Sequence, residues 1–213
     1  PGIGPVMAIA IAIPFTFGLD PLPAIAFLVG VCKGGTVGGA IPAILINTPS
    51  NPTGFAYEKS ELEAIAQCAL ENNLLMISDE IYEWIIFDGF KHTSIASLSK
   101  EAQKNCVVIN GVSKCYAMTG WRIGYIAANA EIVKNVQKLQ GQSTSGPCSI
   151  SQAASVEALT GPHDDVLAMV GEFQKRRDVM IDQLNSIAGV SCNKPNGSFY
   201  SFPDFSALYG KKE

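Results

Sequence analysis

Three short apolar runs, each closing on a cluster of polar residues, constrain this chain more than any other feature. They are ILINTPSNPTG at 44–54, LLMISDEIY at 74–82 and VVINGVSK at 107–114. Leu74–Ile77 and Cys106–Ile109 read as strands, too short and too uniformly apolar for amphipathic helices. Between and after them lie helical patterns. KSELEAIAQCALENN, Lys59 to Asn73, places Leu62, Ile65, Ala66, Ala69 and Leu70 on one face. Ala130–Leu139, Ser149–Leu159 and the long Asp164–Ile187 stretch also read as helices, followed by a turn at Asn193–Gly197 and a strand beginning over Ser198–Phe202. Strands alternating with helices predict an α/β fold with parallel pairing. In such a sheet, ligands gather where the strands end.

Charge is unevenly spread. Residues 1–50 contain only two charged side chains, Asp20 and Lys33, whereas the remainder is amphipathic. A break of this kind marks a boundary, placed near Leu45–Ser50. The division predicted is an apolar segment over 1–44, a cofactor-binding unit over 45–163, and a linking helix with a second, smaller unit over 164–213. Pro14 interrupts the apolar run from Val6 to Leu19, and neither it nor Pro21–Val31 reaches the roughly 20 residues of a simple membrane span. Glycine- and proline-rich apolar helices nonetheless suit a transporter, and a buried α/β interior is the other reading. The net charge of -4 with no basic run argues against a nucleic-acid partner. Six cysteines without a close pair read as reduced thiols. Two scattered histidines, His92 and His163, do not suggest a metal site.

The strand ends offer an amide (Asn51), a carboxylate (Asp79), a phenol (Tyr82), a hydroxyl (Ser113) and an amine (Lys114), and Arg122 adds a guanidinium. The set suits pyridoxal phosphate. That cofactor takes a lysine as its Schiff base and an anion beside its ring nitrogen. Asn51 and Tyr82 could donate to the ring oxygen, and Ser113 and Arg122 to the phosphate. Each residue also has an ordinary reading. Lys114 could be solvated, Asp79 a helix cap, Tyr82 a core residue, and Arg122 the partner of any carboxylate. It is their joint placement at successive strand ends that favours the cofactor.

From about Leu45 onward the chain resembles class I pyridoxal-phosphate aminotransferases of the bacterial aspartate aminotransferase group. SNPTG at 50–54, ISDEIY at 77–82, SKCYAMTGWRIGY at 113–125 and PNGSFYSFPD at 195–204 carry the resemblance. It implies a partial aminotransferase type I fold and transfer of an amino group from an aspartate-like L-amino acid to a 2-oxo acid. Lys114 matches the Schiff-base lysine, Asp79 the partner of the ring nitrogen, Asn51 and Tyr82 the ring-oxygen donors, and Ser113 and Arg122 phosphate ligands. A cytoplasmic homodimer is the family's habit. Such enzymes are nearly twice as long. The arginine that grips the substrate carboxylate is expected beyond Glu213 and the phosphate loop upstream of NPTG, so impaired turnover is expected.

Residues 1–49 resemble a different family, the large membrane subunit of tripartite tricarboxylate transporters, most specifically in KGGTVGGAIPAILINTP. The two resemblances together predict a chimera of two fragments, with membrane contact through residues 1–44. The alternative function is a transporter fragment with a non-catalytic or merely cofactor-binding tail.

Overall fold

A computed structural model describes residues 43–210. The apolar segment assigned to 1–44 lies almost wholly outside the described residues. Among the described residues, four strands form one sheet in the order β1 (Ala43–Asn47), β2 (Leu75–Asp79), β3 (Cys106–Gly111) and β4 (Gly124–Ala127). β1, β2 and β3 pair in parallel, with Asn47 opposite Asp79 and Asp79 opposite Ile109. The carboxyl ends of all three therefore lie side by side.

Helix α1 (Lys59–Glu71) covers one face of this sheet. It opens with a capping box in which the Glu58 N–H donates to Glu61 Oε2 at 2.8 Å. It stops at Asn72 and Asn73, the latter left-handed at φ 52°, a conformation asparagine tolerates at helix ends. Its buried stripe of Leu62, Ile65, Ala66 and Ala69 packs on Ile44, Ile46, Met76 and Cys106. Each fully buried Leu or Ile contributes roughly 1.5–3 kcal/mol. Short α2 (Lys100–Lys104) is capped by Ser99, whose Oγ accepts the Ala102 N–H at 3.0 Å. α3 (Ala130–Ser143), α4 (Ser149–Thr160) and the long α5 (Asp164–Ser186) follow.

The sheet is mostly parallel, as expected, and β4 adds one antiparallel edge strand beside β3. The connection between them holds only turns and the 3-10 segment Thr119–Trp121, with Arg122 left-handed at φ 56°. Without a crossover helix the chain doubles back. The strand expected over Ser198–Phe202 does not form. Ser198 sits at φ 54°, outside the extended region, and only isolated bridges flank the segment, Ile86 to Gly197 before it and Ser191 to Asp204 after it.

Candidate active site

The turn after β1 is built around Asn47. Its Oδ1 accepts the Asn51 N–H at 2.6 Å and its Nδ2 donates to the Asp79 carbonyl at 3.3 Å. The turn is thereby tied to the end of β2. A second clamp comes from far along the chain. The Gly197 N–H donates to the Gly54 carbonyl at 2.8 Å, Ser198 Oγ to the Ser50 carbonyl at 3.2 Å, and the Ala56 N–H to Asn196 Oδ1 at 2.7 Å. The NPTG and PNGS turns thus interlock.

Asp79 closes β2 half-buried, with its Oδ1 accepting the Ile81 N–H at 3.2 Å. Burial raises its carboxyl above the ordinary range; that hydrogen bond opposes the rise and Glu80 adds to it. Residues 81–84 form turns, so Asp79 does not cap a helix there. Tyr82 follows, only 2% exposed. Its hydroxyl lies 2.7 Å from the Tyr200 hydroxyl. Burial first, then Tyr200 and Asp79, raise the phenol's pKa, while a hydrogen bond from the Asn51 side chain works the other way. The phenol therefore stays a neutral donor.

Lys114 is half-buried in the turn after β3. Its Nζ is 6.0 Å from the Tyr82 ring centroid and 5.9 Å from that of Phe199, within range of both ring faces. The turn is anchored by Cys115, whose thiol donates to the Ile81 carbonyl at 3.3 Å. Burial pushes that thiol up to about 11, which makes Cys115 a packing residue rather than a reactive one. Asn51, Asp79 and Lys114 are thus gathered around Tyr82. Ser113 is half-buried beside Lys114. Arg122 is exposed, and its Nη1 donates to the Thr119 carbonyl of its own turn at 3.0 Å.

Sequence reading overlooked Phe199 and Tyr200, although both lie in the PNGSFYSFPD stretch. It also overlooked the network behind Asp79. The buried Glu80 carboxylate accepts from Ser78 Oγ at 2.9 Å and Ser94 Oγ at 2.8 Å, and meets His92 Nε2 at 3.2 Å. Asn110 Nδ2 donates to Glu83 Oε1 at 2.8 Å. Glu80, Glu83 and His92 bring ligand-type atoms within 4.8 Å of one another, and these hydrogen bonds engage all three.

The ring end of pyridoxal phosphate fits this arrangement. A protonated ring nitrogen would offset the burial that now raises Asp79. The neutral phenol of Tyr82 can donate to an anionic ring oxygen, and the Lys114 amine stands before the same tyrosine.

Residues 36–213 match the family model Aminotransferase class I and II. The aspartate aminotransferase of Bacillus sp. (strain YM-2) is 49% identical over 164 residues, which are 77% of this chain and 42% of that protein. The crystal structure of the Rhizobium meliloti aspartate aminotransferase aligns with TM-score 0.81 at 37% identity, covering 90% of this chain and 48% of that one. The aromatic aminotransferase of Pyrococcus horikoshii OT3 aligns with TM-score 0.73 at 40% identity, covering 76% of this chain and 43% of its own. The chain therefore spans less than half the length of these relatives.

Residues 1–57 also match the model Tripartite tricarboxylate transporter TctA family. The reading of two fragments joined near residue 45, with a transporter-derived membrane segment, is nevertheless corrected. The aminotransferase match begins at residue 36 and overlaps the other over 36–57. The Rhizobium structure covers 90% of the chain, more than residues 45–213 contain. Among the described residues, no helix is long and apolar enough to cross a membrane. Low charge was a poor guide because strands of a parallel sheet are near-continuous apolar runs; β1, AILIN, begins inside the low-charge block. With more than half of its residues matched, the chain belongs to the aminotransferase class I and II family.

Proposed function

We propose that this chain carries the lysine-bearing part of a pyridoxal-phosphate transaminase that moves an amino group from an aspartate-like L-amino acid to a 2-oxo acid. The observation that supports the reading is the placement of Lys114 Nζ 6.0 Å from the Tyr82 ring centroid, beside the β1 turn that Asn47 ties to Asn51 and to the Asp79 end of β2. When bound, pyridoxal phosphate supplies an aldehyde that joins amines and a ring that takes up the electron pair left by proton removal. Asp79 would hold the ring nitrogen in its protonated form, and Tyr82 and Asn51 would donate to the ring oxygen. Ser113 and Arg122 would hold the phosphate. Lys114 Nζ would bind the aldehyde carbon, then carry a proton between the substrate Cα and the cofactor C4′ once the substrate amine has displaced it. The aspartate aminotransferases among the relatives support the substrate class. A cytoplasmic homodimer, and a division into 45–163 and 164–213 with α5 as the link, belong to the same proposal.

The test adds cofactor to the purified chain and to Lys114→Ala. The intact chain should gain a visible cofactor band, and borohydride should fix the cofactor to the Lys114 peptide, read by mass spectrometry. Aspartate and a 2-oxo acid then test amino transfer. A folded chain that shows no Lys114-dependent band sinks the proposal.

A further inference from the structure

Tyr200 has no part in the proposed cofactor contacts, yet its hydroxyl reaches that of the buried Tyr82. The contact to the Tyr82 hydroxyl is 2.7 Å and joins positions 118 residues apart. The two rings meet edge to face, 5.7 Å between centroids, and Phe199 packs on both at 5.2 and 5.0 Å. Packing of Phe199 on both rings therefore fixes the two tyrosines relative to one another.

A phenol has one proton to donate and a lone pair that accepts. Either tyrosine can donate to the other while the ring oxygen is absent. Once Tyr82 donates to an anionic ring oxygen, only one direction remains between them: Tyr200 donates and Tyr82 accepts. Hydrogen bonds in series polarise one another, so a donor behind Tyr82 strengthens the bond Tyr82 makes in front.

We infer that Tyr200 is a positioning residue that orients the Tyr82 proton toward the cofactor's ring oxygen and lowers the pH at which the bound chromophore loses its proton. This rests on the reading of Tyr82 given under the proposed function. The sign follows from charge. Donors to the ring oxygen favour the form in which it is more negative, the deprotonated one, so losing a donor raises the midpoint. The inference also makes the PNGSFYSF segment, from beyond α5, a direct contributor to the ring environment rather than a packing element.

The experiment titrates the visible absorbance of the cofactor-loaded chain against pH in four proteins: wild type, Tyr200→Phe, Tyr82→Phe and the double variant. Tyr200→Phe keeps the ring and removes one oxygen. Its midpoint should rise by about 0.5–1 pH unit, the size of one indirect hydrogen bond to a charged group. In the Tyr82→Phe background the same change should move the midpoint by less than about 0.2 unit. Replacing Tyr200 with 3-fluorotyrosine, a stronger donor of nearly the same shape, should lower the midpoint, an effect that lost packing cannot produce. An unchanged midpoint in Tyr200→Phe, or equal shifts in both backgrounds, overturns the inference and leaves the cofactor reading standing. A wild-type chain without a Lys114-dependent band overturns both.

Discussion

Gly54→Ala should be among the most damaging single-methyl changes in this chain, and the structure allows its cost to be separated into parts. Gly54 sits at φ 76°, and a Cβ there would lie 2.5 Å from Pro195 Cβ and 2.9 Å from the Tyr200 carbonyl oxygen. One obstacle is a ring carbon and the other is backbone, so neither can rotate away. The left-handed backbone costs alanine roughly 1–2 kcal/mol, and forcing a methyl into filled space about 1–3 kcal/mol more. We expect a total of about 2–5 kcal/mol. Gly89 supplies the control: φ is 74°, but nothing lies within 4 Å of its Cβ position. Gly89→Ala should lose only the backbone part, about 1–2 kcal/mol. Gly120 has open space and no left-handed φ, so Gly120→Ala should stay within about 0.5 kcal/mol of wild type. Urea unfolding followed by tryptophan fluorescence, fitted with a common slope, gives all three values. The clash also pushes the PNGS turn off the NPTG turn, so Gly54→Ala should weaken cofactor binding and Gly89→Ala should not. If Gly54→Ala and Gly89→Ala lose the same stability, the interlock of the two turns is not what holds this edge of the site.

Local pattern carried much of the architecture. α1 ends at Glu71 where the periodicity suggested Asn73, and α5 ends at Ser186 where it suggested Ile187. Both have apolar stripes and polar ends that helices require whatever surrounds them. Asp79 and Lys114 were legible because they close apolar runs. What failed depended on distant partners or on single dihedrals. GYIA at 124–127 looked like part of a chemical motif, and only its pairing with β3 makes it a strand. Ser198 cannot be read as left-handed from its neighbours, yet that one angle removes an expected strand. The boundary near residue 45 rested on charge density, which cannot distinguish a sheet interior from a lipid-facing helix. Tyr200 escaped notice because a hydroxyl pair across 118 positions has no local signature.

Two further outcomes follow from charges held in unusual settings. Asp79→Asn keeps an acceptor for the Ile81 N–H but removes a carboxylate that burial penalises. Because the folded pKa is raised, Asp79's contribution to stability is present below the ordinary carboxylate value and lost as pH rises through the raised one. The cofactor-free variant should therefore match wild type at low pH and exceed it at neutral pH in urea unfolding, while binding cofactor more weakly; equal stability at both pH values would mean that burial does not penalise this group. Arg177 presents the opposite sign. Its side chain is 3% exposed and reaches across from α5 to donate to Asp88 at 2.7 and 3.0 Å and to the Pro195 carbonyl at 2.8 Å, with the guanidinium 4.7 Å from the Phe87 ring centroid. Arg177→Met should keep much of the apolar stem packing and lose the charged hydrogen bonds, costing about 2–3 kcal/mol at neutral pH. The lower part of the range for broken pairs applies because Asp88 is half exposed and water can resolvate it. Hydrogen bonds from Arg177 hold the Asp88 carboxyl below its ordinary value, with the Arg177 and Lys194 charges adding to them. Its contribution is thus fully present above the ordinary carboxylate range and is lost as pH falls through the lowered value. The gap in unfolding free energy between wild type and Arg177→Met should narrow over that acidic interval, and a gap that stays constant with pH would show that Arg177 acts through Phe87 and the Pro195 carbonyl rather than through the carboxylates Asp88 and Asp178.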